Sequence, residues 1–312
     1  MSEVFYNPLL PAPHPDPWVL YDPPWYWYCG SAEGHIYLLR AERLQDLARS
    51  QPIVVWTAPR RGENAHHIWA PELHLVDDRW VIYYAADDGL NANHRMYVLE
   101  STTSPLGPYE DRGKICTDDD HWAIDGTVLH HPDGSRYLIW SGWESDENVQ
   151  QNLYIAPMDR DCAWRLLGPR VMISAPDQPW EQHGRPWVNE APEVVVRDDA
   201  IYVFYSASGS WTPDYCLGVL RCSKEHSVLD PTGWQKVDHP VFAKDPDAQV
   251  FGVGHASFVR DANQTWWIVY HAMDHPDAGW AGRSARIQPF LWPQQCLPQL
   301  GRPWPLDRPV IS

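Results

Sequence analysis

One pattern recurs five times in this 312-residue chain: an aromatic, two or three β-forming residues, a second aromatic, then small residues. It reads Trp25-Tyr-Trp-Tyr28-Cys-Gly, Trp80-Val-Ile-Tyr83-Tyr-Ala, Tyr137-Leu-Ile-Trp140-Ser-Gly, Tyr202-Val-Phe-Tyr205-Ser-Ala and Trp267-Ile-Val-Tyr270-His-Ala. Alternating aromatic and β-branched residues are strand signals. Turn-forming pairs precede four copies: Asp77-Asp78, Asp133-Gly134, Asp198-Asp199 and Ala262-Asn263. Each copy therefore reads as the second strand of a hairpin.

The first strands of these hairpins also match. They are Asp16-Pro-Trp-Val-Leu, Ala70-Pro-Glu-Leu-His-Leu, Asp125-Gly-Thr-Val-Leu, Glu190-Ala-Pro-Glu-Val-Val and His255-Ala-Ser-Phe-Val. Asp125, Glu190 and His255 are spaced by 65 residues twice, and so are Trp140, Tyr205 and Tyr270. Five such units predict an all-β chain folded as a five-bladed β-propeller, in which each blade is a small sheet around a central channel. A β-sandwich does not explain five copies. No linker interrupts them, so residues 1–312 are expected to form one domain. Thirty Pro and 19 Gly speak against helix, and residues 41–49 are the best candidate for a short helix or helical turn. Residues 103–123, 174–189 and 206–215 are left for loops and outer strands, rich enough in Trp, His and Asp for a substrate-facing rim.

Charge narrows the function. The net charge of −17 lacks the basic stripe that nucleic acid requires, and it disfavours anionic membrane surfaces. No run approaches the roughly 18 apolar residues of a membrane span. The start, MSEVFYNPLLPAP, has neither a basic n-region nor an apolar h-region. It predicts a cytoplasmic location, or secretion where a leader has been trimmed. The six cysteines form no CxxC pair and are expected to be buried free thiols.

The repeat makes a statement about three acids. Asp16, Asp125 and Glu190 open apolar strands at matching places in three units. Matching places in radially arranged blades lie around one axis, so the three are expected to converge. Partial burial and mutual repulsion raise carboxylate pKa values. Convergent carboxylates are the equipment of glycoside hydrolysis, where one acid protonates the leaving oxygen and another activates water or attacks the sugar. Taken singly, each acid would read as a turn cap.

These residues carry a resemblance. The sequence resembles glycoside hydrolase family 43, five-bladed propeller hydrolases that act on arabinose- and xylose-containing polysaccharides. The motifs are His14-Pro-Asp-Pro-Trp-Val19, Ile68-Trp-Ala-Pro-Glu-Leu-His74, Ala123-Ile-Asp-Gly-Thr-Val128, Val188-Asn-Glu-Ala-Pro-Glu193 and Gly254-His-Ala-Ser-Phe258, in the family's order over nearly the whole chain. The resemblance implies that Asp16 is the general base and Glu190 the general acid. Asp125 tunes and orients Glu190, and the anomeric centre inverts in a single displacement. That mechanism suits an acid and base roughly 6.5–9.5 Å apart.

The resemblance also implies that His255 lies on the channel axis, near or bound to a structural calcium or sodium ion, largely through water. No cofactor is required for the chemistry. A core histidine satisfied by its neighbours is the alternative, since imidazole suits softer metals better than calcium. Arg283, in Ala281-Gly-Arg-Ser-Ala-Arg-Ile-Gln288, matches a family arginine that reaches the sugar hydroxyls and the tuning Asp. Arg286, three residues on, competes for that role. Trp69 is expected to form an apolar wall of the sugar pocket. Glu72 and Glu193 read as structural, because a residue three after Glu190 in a regular strand faces the other side.

Residues 85–97, 141–154 and 206–216 resemble the exo-acting α-L-arabinofuranosidases that trim α-1,5-linked arabinan. The expected partner is an arabinose-containing oligo- or polysaccharide. Within the family β-xylosidase and endo-arabinanase are the rivals. Outside it stands a sugar-binding propeller without catalysis, which could lose any of the three acids.

Overall fold

The computed structural model describes residues 4–310. The aromatic and β-branched alternation becomes strand along most of that length, and no α-helix occurs among the described residues. The helical candidate is a 3-10 turn, Leu44–Arg49, that buries Leu44 and Leu47.

The strands run as antiparallel meanders in chain order. The first contains Trp18–Asp22, Trp25–Ala32, His35–Ala41 and Ile53–Thr57. The second contains His66–Val76, Arg79–Asp87, Arg95–Ser101 and Glu110–Lys114. The third contains Ala123–His130, Arg136–Gly142, Gln150–Met158 and Val171–Ser174. The fourth contains Trp187–Arg197, Ala200–Ala207, Cys216–Ser223 and Gln235–Lys236. The fifth contains Phe251–Arg260, Trp266–Met273 and Ser284–Phe290. A short parallel pairing of Gln150 with Trp187 and Gln151 with Val188 fuses the third and fourth into one eight-stranded sheet. Near the chain ends Phe5–Tyr6 pairs with Pro309–Val310. Asn7 then clamps the fifth meander, donating to Ile287 O and accepting from Ile287 N, each at 2.9 Å.

The buried side chains separate into clusters that follow the same order. One lies between the first and second meanders, around Trp27, Leu38, Ile82 and Tyr84. Others lie between the second and third (Tyr83, Val98, Trp140), the third and fourth (Ile139, Ile155, Tyr205) and the fourth and fifth (Phe204, Val219, Tyr270). A further cluster joins the fifth to the first through Tyr28, Leu39, Trp267 and Ile287. Every meander therefore covers its neighbour's apolar face, and the last covers the first.

The innermost strands share a local break. In the second to fifth meanders the ladder skips a residue, so that two residues oppose one. These pairs are Ala70-Pro71 opposite Tyr84, Asp125-Gly126 opposite Trp140, Ala191-Pro192 opposite Tyr205, and His255-Ala256 opposite Tyr270. Their leading residues have positive φ: 43° at Ala70, 56° at Asp125, 50° at Ala191 and 44° at His255. Asp16, just ahead of the first inner strand, has the same conformation at 54°. A β-bulge of this kind bends the strand and re-aims its side chains.

The bulges correct the expected register. Ala191, not Glu190, is the counterpart of Asp125 and His255, and Glu190 stands one residue earlier. Tyr84, not Tyr83, is the aromatic opposite the bulge. In the first meander Gly30, not Tyr28, follows the pair Trp18–Cys29 toward the break. Tyr37 on the next strand fills that space, since a Cβ on Gly30 would meet its hydroxyl at 2.7 Å. Four cysteines are buried free thiols as expected, but Cys116 and Cys296 are exposed.

Gly218 lies across from Tyr205, where an added Cβ would meet Tyr205 Cζ at 2.4 Å and Trp180 Cη2 at 2.7 Å. Overpacking of this kind costs about 1–3 kcal/mol. Gly218→Ala is expected to lower stability by that amount in chemical denaturation, and an unchanged midpoint would mean the aromatic cluster is loosely packed.

Candidate active site

The bulges bring the expected acids together. Asp125 and His255 occupy bulge positions in two meanders, Asp16 takes the same positive-φ conformation just ahead of the first inner strand, and Glu190 precedes the bulge of a fourth meander. Each of these four groups alters the ionisation of others in the set.

Asp16 is held charged. Its Oδ1 accepts from Arg283 Nη1 at 3.1 Å and lies 3.1 Å from His255 Nδ1. Its backbone N–H donates to His271 Nδ1 at 3.2 Å. Burial alone would raise this carboxyl, but the charges of Arg283 and His255 and the His255 hydrogen bond hold it well below the usual carboxylate range. Glu190 is driven the other way. Burial and the nearby charge of Asp125 push it up to about 8, against a hydrogen bond from Tyr215. Asp125 lies between, raised to about 6 by burial, with Asp16 adding to the rise and His255 opposing it. Its Oδ2 accepts the Ala191 amide at 3.0 Å, which fixes the backbone next to Glu190. At neutral pH the site thus holds Asp16 and, for the most part, Asp125 as carboxylates and Glu190 as a protonated carboxyl, so that an ionised base and a protonated acid stand in one site, the pairing that base and acid catalysis need.

His255 also titrates high. Burial disfavours its charge, but Asp16 and Asp125 outweigh that and lift it to about 9. A protonated imidazole paired with Asp16 has no lone pair for a metal. Among the described residues no three His, Cys, Asp or Glu side chains converge as a ligand set. The donors present therefore do not fit direct coordination of calcium or sodium at His255.

Arg283 contacts Asp16 rather than a tuning Asp, and its Nε donates to Trp280 O at 3.1 Å. Arg286 is fully buried and bonds Ser284 and Asp274 instead. Trp69 is 37% exposed and stacks on the buried ring of His94, with centroids 3.9 Å apart. His94 bonds His67 O at 3.1 Å, and Asp87 holds the His67 ring at 2.8 Å. Glu72 and Glu193 are buried and raised by burial. Glu72 Oε2 lies 2.9 Å from His74 Nε2, within hydrogen-bond distance. Glu193 does not face away from Glu190 as regular alternation predicts. Their cross-strand partners Phe204 and Ser206 are two apart, so the bulge returns both acids to one face.

Two site residues escape a motif reading. His271 follows the fifth aromatic copy, where the other copies carry small residues or Tyr. Tyr215, in the 206–215 loop, donates to Glu190 Oε1 at 2.8 Å.

The family model for glycosyl hydrolases family 43 matches residues 5–296. Alpha-L-arabinofuranosidase B of Pyricularia oryzae is 31% identical over 97% of this chain and 64% of its own length. The extracellular exo-alpha-(1->5)-L-arabinofuranosidase of Streptomyces avermitilis is 32% identical over 97% of this chain and 64% of its own. The chain thus spans somewhat under two thirds of these relatives. The crystal structure of alpha-L-arabinofuranosidase from Lactobacillus brevis superposes with a TM-score of 0.89 at 31% identity, covering 97% of this chain and 98% of that one.

Arg283 is the fixed cation on Asp16. Arg283→Gln is expected to move the acid limb of kcat/KM against pH upward by about one pH unit or more, because a neighbouring opposite charge lowers a carboxyl by ~1–3 units. An unmoved acid limb would assign the depression to His255 alone.

Proposed function

The chain belongs to glycoside hydrolase family 43, and we propose that it is an inverting exo-α-L-arabinofuranosidase that removes terminal arabinofuranose from α-1,5-linked arabinan and its oligosaccharides. The observation that carries the reading is the split in ionisation between Asp16 and Glu190, two buried carboxyls of one site. The five meanders act as blades of a propeller, a reading supported by buried clusters that run from each meander to the next and from the fifth back to the first.

In this mechanism Asp16 takes a proton from water as the water oxygen bonds to the anomeric carbon. The glycosidic C–O bond breaks on the opposite face, and Glu190 gives its proton to the departing oxygen. Asp16 ends protonated and Glu190 ionised, and exchange with solvent resets both. Arg283 keeps Asp16 ionised before the reaction. Asp125 has two effects: its charge favours the protonated form of Glu190, and its bond to the Ala191 amide orients the acid. Trp69, backed by His94, supplies a flat apolar surface for the sugar's C–H face.

The preference for arabinose rests on the relatives named above. Debranched arabinan is expected to release monomeric arabinose from the first minutes with little fall in viscosity. Early di- and trisaccharides with rapid thinning would make the enzyme endo-acting. Faster turnover of an aryl β-xyloside than of the aryl α-L-arabinofuranoside would make it a xylosidase.

The roles have their own test. Glu190→Gln is expected to lose about 10²–10⁴-fold on a poor leaving group and far less on an activated aryl one, which needs no proton. Asp16→Asn is expected to slow both substrates alike. The same leaving-group dependence in both variants would reject the assignment.

A further inference from the structure

Glu190 has a partner that the acid–base scheme does not use. Tyr215 is fully buried, and its hydroxyl lies 2.8 Å from Glu190 Oε1. The same hydroxyl is hydrogen-bonded by the Ser206 side chain. Ser206 Oγ in turn accepts the His255 amide at 2.7 Å, which leaves its own proton to donate onward. The donors then run in one direction, from His255 N–H to Ser206, to Tyr215, to Glu190 Oε1. Ser206 is also the cross-strand partner of Glu190, so the relay spans adjacent strands.

The ring of Tyr215 is fixed as well. It stacks on His271 with centroids 5.4 Å apart and planes 9° from parallel. His271 Nδ1 accepts the Asp16 amide, so one stacked pair touches both the acid and the base. The other side of the ring explains a glycine. A Cβ on Gly254 would meet Tyr215 Cε1 at 2.3 Å and Cδ1 at 2.4 Å.

We infer that Tyr215, with Ser206 behind it, is a positioning residue that holds Glu190 Oε1 as an acceptor and so confines the acid proton to Oε2. A carboxyl whose orientation is free would present its proton on either oxygen, and only one faces the leaving group. Tyr215 keeps its own proton throughout. The only bond Glu190 breaks is Oε2–H, and that proton goes to the glycosidic oxygen. The direction of the bond has a consequence. A donor to the carboxylate favours its ionised form, so loss of the hydroxyl makes Glu190 harder to ionise. The other charges facing Glu190 are Asp125, Asp16 and His255, all left in place by the change. His271 and Asp125 are the further titratable groups near the Tyr215 ring.

The test is Tyr215→Phe, read first without substrate. With glutamate labelled at the side-chain carboxyl carbon, the Glu190 resonance is the one missing from Glu190→Gln. Its titration midpoint is expected to rise by about one pH unit in Tyr215→Phe, the worth of one ordinary hydrogen bond. Ser206→Ala is expected to shift it the same way by less, and it reads the relay even where Tyr215→Phe folds poorly. A midpoint that falls would mean Glu190 donates to Tyr215, and one that stays would mean the contact is packing only. Either result overturns the inference. The acid role that the relay serves rests on the hydrolytic reading, so turnover is measured separately. Tyr215→Phe is expected to lose about tenfold or more in kcat on arabino-oligosaccharide and little on an activated aryl arabinoside. The expected rise in the Glu190 midpoint in an enzyme that hydrolyses neither substrate would spare the relay and sink the hydrolase.

Discussion

A strand that leaves its regular pleat at one residue does what a straight strand cannot: it re-aims a side chain out of the sheet's regular alternation. Here that break recurs at Ala70, Asp125, Ala191 and His255, and Asp16 shares their conformation just ahead of the first inner strand, all with φ between 43° and 56°. Left-handed backbone is uncommon for residues other than glycine, and strain of this kind costs of order 1–3 kcal/mol per residue. The packing on both sides of each inner strand holds it in place. Tyr84, Trp140, Tyr205 and Tyr270, each opposite a bulge, are fully buried. Each also packs toward the preceding meander. The aromatic repeat that is most visible in the sequence is thus the wall against which the inner strands bend.

From that geometry follows the electrostatics. Carboxyls brought together out of water repel one another and resist ionisation. Two cations decide which acid yields. Arg283 and His255 both lie 3.1 Å from Asp16 Oδ1, and the charge settles there. Glu190 has only a hydroxyl for a partner and faces the charge of Asp125, so it keeps its proton. Opposite roles for like side chains arise from where the cations stand. The surplus of buried acid extends to Glu72 and Glu193, which feel each other and His255.

Much of this was legible in the sequence, and the misses of register have one cause. The strand repeat, the hairpin turns at Asp77-Asp78 and Asp198-Asp199, and the meeting of Asp16, Asp125 and Glu190 all follow from spacing and residue type. A bulge inserts one residue into one strand, so arguments from alternation slip by one past it. That slip put Glu190 in place of Ala191, Tyr83 in place of Tyr84, and Glu193 on the wrong face. Arg283 and Arg286, three apart on an outer strand, could not be separated without knowing which one meets Asp16. Tyr215 lies in a loop without a repeat to index it. His271 departs from its own repeat, a histidine where the other copies carry Cys, Tyr or Ser, but one departure in a repeat does not by itself mark a site.

The central claim is that Asp16 and Glu190 act together from opposite sides of one bond in a single displacement. The most direct measurement is the proton NMR spectrum of arabinose in the first moments of hydrolysis of an α-L-arabinofuranoside, before the free sugar equilibrates. A single displacement delivers the β-furanose first, with the α anomer growing in later. The α anomer appearing first would mean that a carboxylate attacks the sugar itself, and would contradict the assignment of Asp16 as a base acting on water.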